Sequence, residues 1–352
     1  MLLAMEKRIE RAIREKVFPG CVLGMISGGE RSVTAFGRYT YDAASPAMRG
    51  DTIFDVASIT KAIPTSSIAL TLIDTGKLSL DDKLIEYIPE FRNSCRDKVL
   101  IRHLLTHTLD FGFRLSDYKD KGPDGLLDAI LTAEFKAPPG TTFFYANATS
   151  ILLGLVIERI FGKDLATLGE EVFFGPLRMN RTTFFPDRLN PKETAPTEID
   201  AWRGGTVQAQ VHDESAFALR PKIIAGSAGL FSTVPDLLNF MEMLSGRGTY
   251  NGREFFSPQI VEMMQTNFSD ISGVTMGLGW ELNQPRYMGD HCTPRTIGKT
   301  GFTGCVCLCD LAKQKSVVLL SNYTFPKRKA DASLINSVRK DVADIVFSER
   351  LS

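Results

Sequence analysis

Apolar residues at Met5, Ile9, Ile13 and Val17 recur at a helical spacing and predict an amphipathic helix at the N-terminus. Val22 to Ile26 and Arg31 to Phe36 are short apolar or β-branched runs split by Gly28-Gly29, the signature of a hairpin. From Ser58 the period becomes helical again, with Ile59, Ile63, Ile68, Leu72 and Ile73 forming a stripe that stops at Gly76. Leu100 to Thr108, Gly125 to Glu134 and Ser150 to Phe161 read as further helices, separated by breaks such as Pro138-Pro139-Gly140. Ser232 or Thr233 caps a helix that has Pro235 near its first turn and runs to about Leu244. Strand patterns return at Gly279 to Asn283, Thr303 to Leu311 and Lys315 to Asn322, and an amphipathic helix over about Ala330 to Phe347 closes the chain.

Strands at both ends with helices between them predict an α+β fold, with one sheet built from the two termini. Short turns between paired strands make that sheet antiparallel. The expected division is a sheet domain of residues 1–62 plus 225–352 and a mostly helical insert of residues 63–224, with the active site between them. The length of 352 residues agrees with about two domains.

Charge narrows the function. Lys plus Arg and Asp plus Glu both total 41, which argues against a nucleic-acid protein or a polybasic membrane binder. No apolar run approaches the roughly 18 residues of a membrane span, and the N-terminus does not read as a secretory signal. The expected compartment is therefore the cytoplasm, or the periplasm or exterior if a leader has been removed. Six cysteines in so long a chain do not make a disulfide scaffold. Cys305, Cys307 and Cys309 alternate along one strand and read as buried thiols on its core face rather than as metal ligands. No metal or cofactor is expected.

A serine followed three residues later by a lysine on a helix places a nucleophile beside a base. Three such pairs occur: Ser58/Lys61, Ser116/Lys119 and Ser337/Lys340. Ser116 lies in a polar loop and Ser337 among charges on the last helix. Ser58 instead follows the apolar stretch Phe54-Asp55-Val56-Ala57 and opens an apolar helix, where the helix dipole meets its Oγ and burial lowers the Lys61 pKa. Two more motifs follow in order, Tyr145-Ala146-Asn147 on a loop and Lys299-Thr300-Gly301 at a strand edge. Together they match the Ser-x-x-Lys, Tyr/Ser-x-Asn, Lys-Thr-Gly set of serine acyl-transfer enzymes.

On these residues the chain resembles the serine hydrolases related to class C β-lactamases, low-molecular-weight penicillin-binding proteins and β-lactamase-like esterases. Leu104-Leu105-Thr106-His107-Thr108, Val211-His212-Asp213-Glu214-Ser215, Ala228-Gly229-Leu230-Phe231-Ser232-Thr233 and Gly298 to Gly304 extend the resemblance over nearly the whole chain. It implies a β-lactamase/transpeptidase-like sandwich. By the same resemblance Ser58 is the nucleophile, Lys61 its proton acceptor and Tyr145 the proton shuttle. Asn147 would orient Lys61 and a substrate amide, the N–H groups of Ser58 and Phe302 would form the oxyanion hole beside Gly301, and Lys299 and Thr300 would hold a substrate carboxylate. No Glu-x-x-Leu-Asn segment is present, so water activation falls to Tyr145 with Lys61. The substrate is expected to be a small molecule: a β-lactam, a D-Ala-D-Ala peptide or an ester. A sensor that is acylated without turnover is the non-enzymatic alternative, and oligomeric state is left open.

Two rival motifs are weaker. Ala225-Gly226-Ser227-Ala228-Gly229, with His291 downstream, approximates a nucleophile elbow, but that site needs a parallel sheet. His103-Leu104-Leu105-Thr106-His107 has metal-ligand spacing, but Leu104 stands where a zinc protease needs Glu. Asn147-Ala148-Thr149 and Asn322-Tyr323-Thr324 are glycosylation sequons by pattern only.

Overall fold

Helix α1 (Leu2–Arg14) buries Met5, Ile9 and Ala12, and the chain then passes Val17 into β1 (Gly20–Ser27) and β2 (Glu30–Gly37). The computed structural model describes residues 2–220 and 222–348. Gly28 and Gly29 take φ of 58° and 81°, the left-handed pair a two-residue hairpin requires, and set Ser27 opposite Glu30. The chain continues through α2 (Ser67–Asp74), α3 (Asn147–Phe161), α4 (Glu214–Leu219) and α5 (Val234–Ser245). It ends with β3 (Glu281–Leu282), β4 (Ile297–Thr300), β5 (Val306–Asp310), β6 (Lys315–Ser321) and α6 (Ser333–Ser348).

The six strands form one antiparallel sheet in the order β2-β1-β6-β5-β4-β3, so the first hairpin pairs with the last strand of the chain. Alternation along the strands gives the sheet two apolar faces. Cys21, Leu23, Met25, Leu308 and Leu319 pack with α1 and α6. Val22, Ile26, Val318, Leu320 and the three alternating cysteines belong to the larger core that contains α5. A Cβ on Gly24 would lie 2.3 Å from Val234 Cγ1, so a glycine there lets α5 seat against β1. Each buried aliphatic side chain contributes on the order of 2 kcal/mol by leaving water.

Four elements differ from the pattern reading. The helix from Ser58 is broken at Ile63 (φ −119°, ψ 108°), because Pro64 pushes the residue before it out of the helical region. The strand expected over Gly279 to Asn283 shrinks to Glu281–Leu282, since Gly279 and Asn283 both take positive φ of 76° and 45°. The strand expected from Thr303 starts at Val306, after a turn closed by Gly304 N–H to Gly301 O at 3.0 Å. Asn147, read as a loop residue, is the first residue of α3.

Candidate active site

Ser58 stands where the strand pair Phe54–Asp55 and Phe231–Ser232 hands over to the broken helix. The turn is held by Asp55, buried in an otherwise apolar run. One carboxylate oxygen accepts from Ala57 N and the other from His212 N, both at 2.8 Å. Ala57 takes φ of 47°, a left-handed conformation that costs about 1–2 kcal/mol for a residue with a Cβ. Burial raises the Asp55 pKa against the pull of its partners.

Lys61, one turn on, is 1% exposed. Its Nζ reaches Ser58 Oγ at 3.2 Å, Asn147 Oδ1 at 2.8 Å and the Ser227 carbonyl at 2.8 Å. Desolvation lowers its pKa, and the charge of Lys299 adds to that. Asn147 is oriented from behind, its Nδ2 donating to Asp213 Oδ2 at 2.9 Å and Ser215 Oγ at 3.1 Å. Asp213 also caps α4 by accepting from Ala216 N at 2.8 Å. Burial works to raise the Asp213 pKa, but its donors and Lys61 bring it below the usual value.

Tyr145 lies between two cations, with Lys61 Nζ 5.1 Å and Lys299 Nζ 4.6 Å from its ring centroid. Its residue surface is 42% exposed, but the hydroxyl interacts with Ser58, Lys61 and Lys299. Desolvation would raise its pKa; the charges of Lys299 and Lys61 outweigh it and lower the value. The His107 ring packs 4.7 Å from the Tyr145 ring and is held by Thr149 Oγ1 at 2.8 Å. Burial and the two lysines hold His107 well below its ordinary pKa, so it supports the tyrosine as a neutral ring.

The Lys-Thr-Gly segment lies on β4, and this brings Lys299 to the cluster. Lys299 is fully buried rather than a free cation: its Nζ meets Glu281 Oε1 at 3.2 Å, and Glu281 also accepts from Tyr287 Oη at 2.9 Å. Desolvation opposes its charge, but Tyr145 and Glu281 outweigh this and raise the pKa. Thr300 is half-buried on the rim. A Cβ on Gly301 would lie 2.4 Å from Val56 O, so only glycine lets β4 close on the Ser58 turn. Phe302 is 56% exposed. With Ser58 and Tyr145 it lines two cavities: one of about 490 Å³ with Phe113, Leu115 and Asn147, and one of about 440 Å³ with Arg286, Thr300 and Lys329.

The structure thus brings Ser58, Lys61, Tyr145, Asn147, Lys299, Thr300, Gly301 and Phe302 to one place. Sequence reasoning assigned no role to Asp55, His107, Asp213 or Glu281, although Asp55 and Glu281 carried a signal as lone acids inside apolar strands. Ser227, of the rival elbow, is fully buried and serves the cluster through its carbonyl. His103 and His107 part ways, His103 Nδ1 accepting from Leu100 N at 3.1 Å.

A hydroxyl beside a lysine of lowered pKa and a tyrosine held by two ammonium groups can be deprotonated without a metal, and with this fold it defines a serine hydrolase. The chain belongs to the Beta-lactamase family, whose model matches residues 5–340. It is 31% identical over 303 residues to the Escherichia coli (strain K12) protein named "Putative D-alanyl-D-alanine carboxypeptidase", covering 77% of this chain and 69% of that one. Among solved structures it is similar to a class C beta lactamase, with a TM-score of 0.76, 20% identity and 97% of each chain covered. It is also similar to EstCE1, "a hydrolase with promiscuous acyltransferase activity", at a TM-score of 0.74 and 20% identity, covering 96% of this chain and 98% of the other. Among the described residues no helix is long and apolar enough to cross a membrane.

Proposed function

We infer that hydrolysis runs through an acyl-enzyme on Ser58 and acts on amide bonds of small peptides that end in a free carboxylate, the D-alanyl-D-alanine type. The observation that carries this reading is the cluster of Ser58, Lys61 and Tyr145 opening onto a cavity lined by Arg286, Thr300 and Lys329. Lys61 takes the Ser58 proton as Oγ attacks the carbonyl, and the backbone N–H groups of Ser58 and Phe302 receive the oxyanion. Tyr145 delivers a proton to the departing amine. A water that gives its proton to Tyr145, with Lys61 beside it, then attacks the ester and restores Ser58. The substrate carboxylate meets Thr300 and the rim cations before it meets buried Lys299. The relative named as a carboxypeptidase supports this choice of bond.

A β-lactam presents the same amide and carboxylate and fits the same route. The Lys299–Glu281 pair favours one second reading, an esterase, because it leaves the motif lysine without spare charge for a substrate anion. All six thiols are free, which supports a reducing compartment and small cytoplasmic substrates. Turnover of nitrocefin, p-nitrophenyl butyrate and a D-Ala-D-Ala peptide by wild type and Ser58→Ala tests the proposal. Peptide hydrolysis lost by about 10³-fold or more in the variant is expected. Ester turnover alone moves the function to an esterase, stoichiometric acylation without turnover makes the chain a sensor, and undiminished activity of Ser58→Ala overturns the mechanism.

A further inference from the structure

Phe302 is contacted by two residues that share one acid. The His212 ring stacks on it, with centroids 5.8 Å apart and planes at 23°, and the Arg328 guanidinium carbon lies 5.8 Å from the ring centroid. His212 Nε2 meets Glu198 Oε2 at 2.9 Å. Arg328 places Nε 3.0 Å and Nη2 2.7 Å from the same carboxylate, and its Nη1 is 2.8 Å from Glu214. Glu198 is 6% exposed and sits on the short strand Glu198–Asp200, outside every motif of the site. A buried carboxylate with two charge-assisted partners fixes both of them more firmly than either ring contact could alone.

We propose that Glu198 is a positioning residue: by fixing His212 and Arg328 against Phe302 it sets the ring that lines both cavities and the place of the Phe302 N–H. Its loss therefore alters which acyl groups are accepted as well as the rate. The proposal rests on the reading of Ser58 as the acylated residue and adds to it the control of acyl selectivity. A carboxylate that merely stitched loops together would weaken the fold, and its removal would act alike whether or not the Phe302 ring were present.

The test is a double-mutant cycle on p-nitrophenyl acetate and p-nitrophenyl octanoate, with kcat and KM measured separately for wild type, Glu198→Ala, Phe302→Ala and the double variant. Glu198→Ala is expected to lower kcat about tenfold and to change the octanoate-to-acetate ratio of kcat/KM by at least about fivefold. In the Phe302→Ala background the same substitution should change both by less than about twofold. Glu198→Gln, whose one amide oxygen in the place of Oε2 can still accept from both His212 Nε2 and Arg328 Nη2, should recover wild-type selectivity to within about threefold, and it carries the same cycle if the alanine variant does not fold. Equal losses in both backgrounds, or an unchanged acyl ratio in Glu198→Ala, overturn the proposal. Failure of the Ser58 reading shows elsewhere, as a wild-type Ser58 that stays unmodified in the mass spectrum after treatment with a fluorophosphonate.

Discussion

Lys299 and Glu281 form an ion pair, Nζ to Oε1 at 3.2 Å, with the lysine side chain fully buried and the glutamate 7% exposed. The pair ties the Lys-Thr-Gly strand to its neighbour β3, because Ile297 and Gly298 of β4 face Leu282 and Glu281. Glu281 also works on the chemistry at a distance, since its charge opposes that of Tyr145 while Lys299 favours it.

That opposition gives a signed prediction. Removing the charge with Glu281→Gln leaves only burial to oppose Lys299 and Lys61 at Tyr145, so the phenol pKa, already below its ordinary value, falls further. The falling limb of kcat/KM against pH, which reports loss of the Tyr145 proton that the departing amine needs, should move to lower pH by about one unit. The amide still accepts from Tyr287, but an uncompensated Lys299 costs on the order of 3 kcal/mol of stability. A pH–rate profile beside a urea melt checks both, and a limb that moves upward would contradict the placement of Glu281.

Asp213 separates stability from activity. Its two oxygens accept from different groups: Oδ1 from Ser215 Oγ and Ala216 N, Oδ2 from Asn147 Nδ2. An amide has one acceptor oxygen where this aspartate uses two. Asp213→Ala should cost about 1 kcal/mol for the lost helix cap and lower kcat about 10–100-fold as Asn147 loses its orientation. Asp213→Asn can cap α4 only by turning its NH₂ toward Asn147, two donors face to face. It should therefore recover most of the stability and little of the rate. Thermal melts and kcat on the same two preparations decide this; recovery of both together would show that Asn147 needs no anchor.

The frame of this site was legible because its motifs are local. Ser58 and Lys61 are three residues apart, Tyr145 and Asn147 two, and Lys299 to Gly301 are contiguous, so each could be recognised without knowing what it faces. The hairpin at Gly28-Gly29 and the helix capped by Thr233 were equally readable, since a turn and an N-cap are set by their own few residues. Asp213, Glu281 and His107 act across long stretches of chain on residues of other elements, and only the folded arrangement shows their partners. Asp55 and Glu281 are acids in apolar runs, a pattern from which a buried carboxylate with dedicated donors could have been read. The break at Ile63 was readable from Pro64, but the apolar stripe continues through it and the periodicity conceals it.

Glu198 gives the molecule an acid-sensitive joint. Burial raises its pKa, but His212 and Arg328 outweigh burial and hold it at about 2, against an ordinary 4.5. A carboxylate with a depressed folded-state pKa stabilises the fold fully above its unfolded value, and that contribution is lost as pH falls toward the folded value. The window is therefore about pH 4.5 down to 2. With Arg328 partly open to solvent, the contribution is on the order of 2 kcal/mol. Urea midpoints of wild type and Glu198→Gln should accordingly differ by a constant amount from pH 7 to 5 and converge as pH drops through 4 toward 2.5, since the neutral amide has no proton to gain. Parallel curves over the whole range would show that Glu198 takes up its proton in the folded protein as it does in the unfolded chain, and its ionisation would then lend the pairs with His212 and Arg328 no net stability.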